Sequence, residues 1–63
     1  MDYRVARKLH NGDEVIVRCT REGRLNVSAT VLRSTDHKER RTIELELLMP
    51  GGNLDVYTHM EVT

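Results

Sequence analysis

The 63-residue sequence has few aromatic residues: two tyrosines, Tyr3 and Tyr57, and no phenylalanine or tryptophan. Its core must therefore be built from Val, Leu, Ile, Ala and Met. The shortage excludes a groove for polyproline peptides, which needs an aromatic lining. It also leaves the two tyrosines as the only aromatic platforms on which nucleic-acid bases could stack.

Cysteine is also scarce, since Cys19 is the single one and an internal disulfide is excluded. A chain of this length buries only about 60% of its unfolded surface, so we expect a homo-oligomer to supply further stability. The charged N-terminus does not resemble a signal peptide, and no run approaches the roughly 20 apolar residues of a membrane span. The sequence therefore predicts a cytoplasmic protein without a membrane partner.

The formal net charge is zero, but the charges are unevenly distributed. All ten Lys and Arg residues lie within residues 1–41 together with six acidic residues, whereas residues 42–63 contain four acidic residues and no basic one. This asymmetry indicates either a nucleic-acid partner or head-to-tail self-association.

The clearest structural signal is a C-terminal β-hairpin. Residues 42–49 and 54–63 alternate apolar and polar side chains, and the Pro-Gly-Gly-Asn segment at 50–53 separates them. A turn centred between its two glycines would pair Leu47 with Val56 and make one face of the hairpin continuously apolar.

The same register predicts the opposite face of this hairpin. Tyr57 would face outward opposite Glu46, and His59 would face outward opposite Glu44. Both are favourable cross-strand pairs.

A first hairpin is predicted from residues 14–20 and 25–33, which also alternate. Their apolar sets face each other only if residues 21–23 form a three-residue loop, and Gly23 then stands where such a loop needs a positive φ. The residues expected to point inward are Val15, Val17, Cys19, Leu25, Val27, Ala29 and Val31.

The N-terminal segment leaves two interpretations open. Asp2 could cap a short helix with Arg7 and Lys8 near its C-terminal end, where basic side chains suit the helix dipole. A strand through Tyr3 and Val5 agrees equally well with the sequence.

Residues 34–40 are polar throughout, which predicts a solvated loop between the hairpins. Four sequential antiparallel strands with one apolar face, the longest of which could bend and split, most economically close into a small barrel. We therefore predict a single all-β domain over residues 1–63, an SH3-like barrel of four to five antiparallel strands with a possible short N-terminal helix.

Two segments resemble the bacterial RNA chaperone Hfq and its Sm-like relatives. Residues 15–36 are similar to the family's strand, Gly-containing hairpin and second long strand, and residues 56–62 resemble its Tyr-Lys-His-apolar segment. The resemblance implies an Sm-like barrel that forms a ring and contacts U-rich RNA, with Tyr57 and His59 as the matching positions. The chain departs from the pattern at Thr58, where the family has lysine, and at Ser28, where its hairpin motif has glycine.

The basic side chains are the candidate functional surface, because Arg and Lys contact phosphates in a strongly salt-dependent way. The alternative is a solvated strand surface whose charges maintain solubility and discourage edge pairing. The candidate nucleic-acid-binding residues are Arg18, Arg24, Arg33, Lys38, Arg40, Arg41, Tyr57 and His59.

Other reactive side chains do not form a recognisable site. His10, His37 and His59 are widely separated and lack zinc-binding spacing, while Cys19 alternates with apolar residues and is predicted to be buried. We therefore predict a non-enzymatic binding module without metal or cofactor. It would bind nucleic acid, with RNA favoured; the alternative is a protein-interaction or assembly module that uses an exposed strand edge.

Overall fold

A computed structural model describes all 63 residues and contains one short helix, four strands and two 3-10 turns. The helix α1 covers Tyr3–Ala6, and the 3-10 turns cover Lys38–Arg40 and His59–Glu61. The strands are β1 (Glu14–Cys19), β2 (Leu25–His37), β3 (Thr42–Leu48) and β4 (Leu54–Thr58).

The strands form one antiparallel sheet in the order β1-β2-β3-β4. The C-terminal residues return to β1, where Val62 bridges to Val17 and the main chains of Ile16 and Thr63 exchange hydrogen bonds of 3.1 and 2.8 Å. The predicted all-β class is confirmed as a four-stranded antiparallel sheet. None of the helical segments has the length and the hydropathy of a membrane-spanning helix.

The first hairpin has the predicted register and turn. Val15 pairs with Ala29 and Val17 pairs with Val27, while Gly23 adopts a φ of 88° in the three-residue loop. The predicted burial of Cys19 and of Leu25 is wrong, because both side chains are exposed. The left-handed Asn26 next to Leu25 interrupts the extended backbone, and the inward alternation of β2 begins only after it.

The register predicted for the last hairpin is wrong by one residue. Leu47 pairs with Asp55 rather than with Val56, and Leu45 pairs with Tyr57. The reason is a five-residue connection at 49–53, in which the N–H of Met49 donates to the carbonyl of Asn53 at 2.8 Å. Since side chains alternate along a strand, this slip exchanges the two faces of β4.

The predicted solvated loop at 34–40 is wrong for residues 34–37. Strand β2 continues to His37 and pairs with β3 from Thr30 onward, so only the exposed 3-10 turn Lys38–Arg40 and Arg41 connect the two strands. A straight strand of this length would span about 40 Å, yet the longest dimension of the molecule is 32 Å. β2 therefore bends, and the extra residue Leu32 in its pairing with β3 marks a β-bulge at the bend.

The N-terminal segment forms the helix rather than the strand. The carboxylate of Asp2 accepts a hydrogen bond of 2.7 Å from the N–H of Arg4, as an N-cap does, and the helix ends after a single turn at Ala6. Ala6 is fully buried, so α1 covers one end of the core.

One apolar core lies on the inner face of the sheet, and its residues come from α1, all four strands, the 49–53 connection and the C-terminal return. They are Ala6, Val15, Val17, Ala29, Val31, Ile43, Leu45, Leu47, Met49, Tyr57 and Val62.

Candidate functional site

Tyr57 lies inside the protein, although it was predicted to face outward. Its side chain is 1% exposed, and its hydroxyl oxygen accepts a hydrogen bond of 3.2 Å from the N–H of Arg21. The guanidinium of Arg21 covers the ring, with its central carbon 4.3 Å from the ring centroid. Tyr57 is therefore not available for stacking with a nucleic-acid base.

His59 is also interior, at 6% exposure, so its predicted outward position is wrong. Its Nδ1 accepts a hydrogen bond of 3.1 Å from the buried N–H of Ile43, which fixes the ring as a structural acceptor. The predicted pairing of Glu44 with His59 is wrong as well. In the observed register Thr58, not His59, lies opposite Glu44, and the carboxylate of Glu44 contacts Nε2 of His37 at 3.0 Å.

The predicted basic residues do not form a single surface. Arg24 directly precedes β2 and Arg18 lies beside the start of this strand, whereas Lys38, Arg40 and Arg41 follow its end. All five side chains are exposed. The strand of 13 residues separates the two groups.

Arg33 belongs to neither group. It lies on the outward face of the sheet opposite Glu46, in a shallow depression that Thr35, Glu44 and Val56 also line. With two carboxylates beside one guanidinium, this depression repels phosphate groups.

The residues that follow β2 meet α1 around the ring of Tyr3. The guanidinium carbon of Arg41 lies 4.6 Å from the ring centroid, and that of Arg7 lies 5.8 Å from it. The hydroxyl of Tyr3 donates to Oδ1 of Asp36 at 2.6 Å, and Oδ2 of Asp36 pairs with Nε of Arg7 at 3.5 Å. The rings of Tyr3 and His59 form a T-shaped pair, with 5.9 Å between their centroids and an angle of 71° between their planes.

The hydrogen bond to Asp36 raises the pKa of Tyr3 above its ordinary value, because ionisation would remove the shared proton. Desolvation and the negative charge of Asp36 act in the same direction, and the charges of Arg7 and Arg41 oppose them. The phenol of Tyr3 therefore stays protonated at neutral pH and donates a hydrogen bond to Asp36 as a neutral group.

We call residues 2–8 and 36–41 the basic end. It carries six basic side chains and three carboxylates, which leaves a net charge of +3. Among the six, only Arg7 makes an intramolecular ion pair. The six are Arg4, Arg7, Lys8, Lys38, Arg40 and Arg41.

Sequence reasoning missed the contribution of α1 to this site. Tyr3 and Arg7 are four residues apart, the spacing that places two side chains on the same face of a helix. The contact between Tyr3 and Arg7 could have been predicted from this spacing. The contact between Tyr3 and Arg41 joins residues 38 positions apart and has no local signal.

The other exposed feature is strand β4, which is an edge of the sheet. Its outward side chains Leu54 and Val56 are 55% and 44% exposed. Part of the edge is already occupied, because the guanidinium of Arg21 donates to the carbonyl of Val56 and Glu61 accepts from the N–H of Thr58 at 2.8 Å.

Comparisons with models of protein families, with curated proteins and with solved structures gave no match. The interpretation of the chain therefore depends on its own geometry. No cluster of three or more His, Cys, Asp or Glu side chains is arranged to hold a metal ion.

Proposed function

We propose that this chain is a non-enzymatic module that binds nucleic acid, with RNA as the favoured ligand, through its basic end. The observation that carries the proposal is that Arg7, at the end of α1, and Arg41, in the β2–β3 connection, both lie over the ring of Tyr3. The two segments that meet at this ring contain six basic residues in a net-neutral molecule. Five of these side chains have no intramolecular ion pair. Their donors are free to contact phosphate oxygens.

The preference for RNA comes from the resemblance of residues 15–36 to the Sm-like family. The resemblance also implied RNA contacts by Tyr57 and His59. The proposed interface does not include these two residues, because both side chains are buried. The proposed interface is therefore a phosphate-binding end, and its affinity depends on charge rather than on base sequence.

The proposal includes closure of the sheet into a small SH3-like barrel. Two contacts support closure: Arg21, in the β1–β2 turn, contacts Tyr57 of β4, and Val62 bridges to Val17 of β1. A closed barrel would hold α1 and the β2–β3 connection in fixed positions around Tyr3. A cytoplasmic location is part of the same proposal, since it would keep the exposed thiol of Cys19 reduced.

The test is binding of a fluorescently labelled single-stranded RNA of about 12 nucleotides, measured by anisotropy at low salt. The double variant Arg40→Glu, Arg41→Glu is expected to bind at least about tenfold more weakly. The matched control, Arg18→Glu with Arg24→Glu, makes the same change in net charge at the start of β2 and should change the affinity by less than about twofold.

Equal losses in the two double variants would mean that only net charge matters, and an unchanged affinity of the first would contradict the proposal. Because Arg41 stacks on Tyr3, a second variant avoids that contact. Lys38→Glu with Arg40→Glu leaves the stack intact and is expected to weaken binding to a similar extent.

A second candidate function is protein interaction or self-assembly through β4. It is favoured by the exposed aliphatic side chains of Leu54 and Val56 on an edge strand. Association of this kind should survive high salt and fail in Leu54→Ser with Val56→Ser, as measured by light scattering coupled to size exclusion.

A further inference from the structure

Arg41 is held over Tyr3 by an anchored set of contacts. The ring cannot move freely, because its hydroxyl donates to Asp36 at 2.6 Å and Asp36 is in turn paired with Arg7 at 3.5 Å. The buried ring of His59 also packs against Tyr3 in a T-shaped arrangement. The guanidinium of Arg41 therefore rests on a fixed aromatic surface, with its central carbon 4.6 Å from the ring centroid.

The backbone of Arg41 also has an uncommon conformation for a residue other than glycine. It has a φ of 50° and a ψ of 48°, the left-handed conformation that favours glycine at the end of a helical turn. Arginine occupies this position, and its side chain returns across Tyr3. The turn thus places a planar cation at the surface of the basic end, where the residue is exposed.

The guanidinium of Arg41 has no intramolecular ion pair and makes no hydrogen bond through its side chain. Its central carbon lies over the Tyr3 ring and the residue is exposed, so the side of the guanidinium away from the ring and its N–H donors are accessible to a ligand. Guanidinium planes stack on nucleic-acid bases and can at the same time donate to phosphate oxygens.

We infer that Arg41 is the platform for an unpaired base, and that the basic end prefers single-stranded nucleic acid to a duplex. The inference rests on the proposed nucleic-acid function and adds to it the class of ligand. A base stacked on Arg41 extends the sandwich begun by Tyr3, while Lys38 and Arg40, in the adjoining 3-10 turn, contact the flanking phosphates. A base inside a duplex is already stacked on its neighbours and cannot enter this arrangement.

The experiment compares two labelled strands of equal length and charge, one with normal bases and one in which every base is replaced by an abasic sugar. The wild-type protein is expected to bind the strand with bases about fivefold more tightly than the abasic strand. A duplex of the same sequence should compete no better than the abasic strand at equal phosphate concentration.

The decisive variant is Arg41→Lys, which keeps the positive charge but replaces the planar guanidinium with an ammonium group. It should bind both strands with the affinity that the wild type shows for the abasic strand, so the preference for bases is lost. Arg40→Lys is the matched control and should keep the preference. Tyr3→Leu removes the supporting ring without changing the charge and should also lose it; if Tyr3→Leu does not fold, Arg41→Lys decides the question alone.

Equal binding of both strands by the wild type, or a preference that survives in Arg41→Lys, would overturn the inference and leave the proposed function standing. Absence of binding to either strand at low salt would contradict both. The two failures are therefore distinguishable in one set of titrations.

Discussion

Arg21 and Tyr57 are joined by two contacts that connect the β1–β2 turn to the edge strand β4. The N–H of Arg21 donates to the Tyr57 hydroxyl at 3.2 Å, and the guanidinium lies 4.3 Å from the centroid of the ring. The same guanidinium reaches the carbonyl of Val56 and lies 3.5 Å from Oε2 of Glu61. These contacts fasten the β1–β2 turn to β4 and to the 3-10 turn that follows it.

Removing the hydroxyl in Tyr57→Phe should lower the free energy of unfolding by about 1 kcal/mol, because the N–H of Arg21 loses its acceptor. Chemical denaturation monitored by circular dichroism measures the change. Nucleic-acid affinity should stay the same, since the side chain is buried. Weaker nucleic-acid binding by a folded Tyr57→Phe protein would show that the hydroxyl of Tyr57 takes part in binding. It would contradict a purely structural role for this side chain.

His59→Leu should be destabilised by about 1–3 kcal/mol, because the buried N–H of Ile43 is left without a partner. The control is His37→Leu, which removes a partly solvated contact with Glu44 and should cost less than about 1 kcal/mol. Denaturation of the two variants side by side gives the comparison. Equal stabilities would show that the hydrogen bond from Ile43 contributes nothing.

The pKa of Tyr3 is raised, which has a defined effect on stability in alkali. The unfolded chain releases the phenolic proton near its ordinary pKa of about 10, while the folded protein still holds it. The stabilisation that Tyr3 contributes to the folded protein is fully present below the pKa of the unfolded chain. It is lost as the pH rises through the pKa of the folded protein. Phenolate absorbance in Tyr57→Phe isolates Tyr3, and adding Asp36→Asn should move its pKa downward; a pKa that does not respond to Asp36→Asn would contradict the assigned cause.

Gly23→Ala should cost about 1–2 kcal/mol, since an alanine must adopt a φ of 88° at the tip of the first hairpin. A Cβ at this position would meet no atom within 4 Å, so the cost is conformational rather than a clash. Gly23→Asn should cost less, because asparagine tolerates this region better. Thermal unfolding of the two variants tests the order, and an alanine variant as stable as the wild type would contradict it.

The two hairpins differ in how far the sequence could predict them. In the first, the alternation of apolar residues and the position of Gly23 required the same register, and the structure has it. In the last hairpin, the neighbouring residues Leu47 and Leu48 are both apolar. In β4 the neighbours Val56 and Tyr57 can likewise each face a core. The sequence fits two registers, and the choice depends on how the main chain closes the 49–53 connection.

The basic end was predictable only in part. Lys38, Arg40 and Arg41 belong to the basic surface that the sequence predicts. Their association with Tyr3 requires β2 to continue to His37 and α1 to pack over the end of the core, which are long-range contacts. Exposed basic residues on strands look alike in a sequence, whatever their position in the sheet, so the sequence does not distinguish Arg18, Arg24 and Arg33 from the residues of the basic end.

The most direct test of the central claim is the salt dependence of binding to a labelled single strand, measured by anisotropy at a series of salt concentrations. If about three to five of the six basic side chains contact phosphates, the logarithm of the association constant should fall linearly with the logarithm of salt concentration, with a slope of about −2 to −4. The Arg40→Glu, Arg41→Glu variant should show a slope closer to zero. Absence of binding at the lowest salt, or an affinity that does not change with salt, would contradict a phosphate-binding basic end.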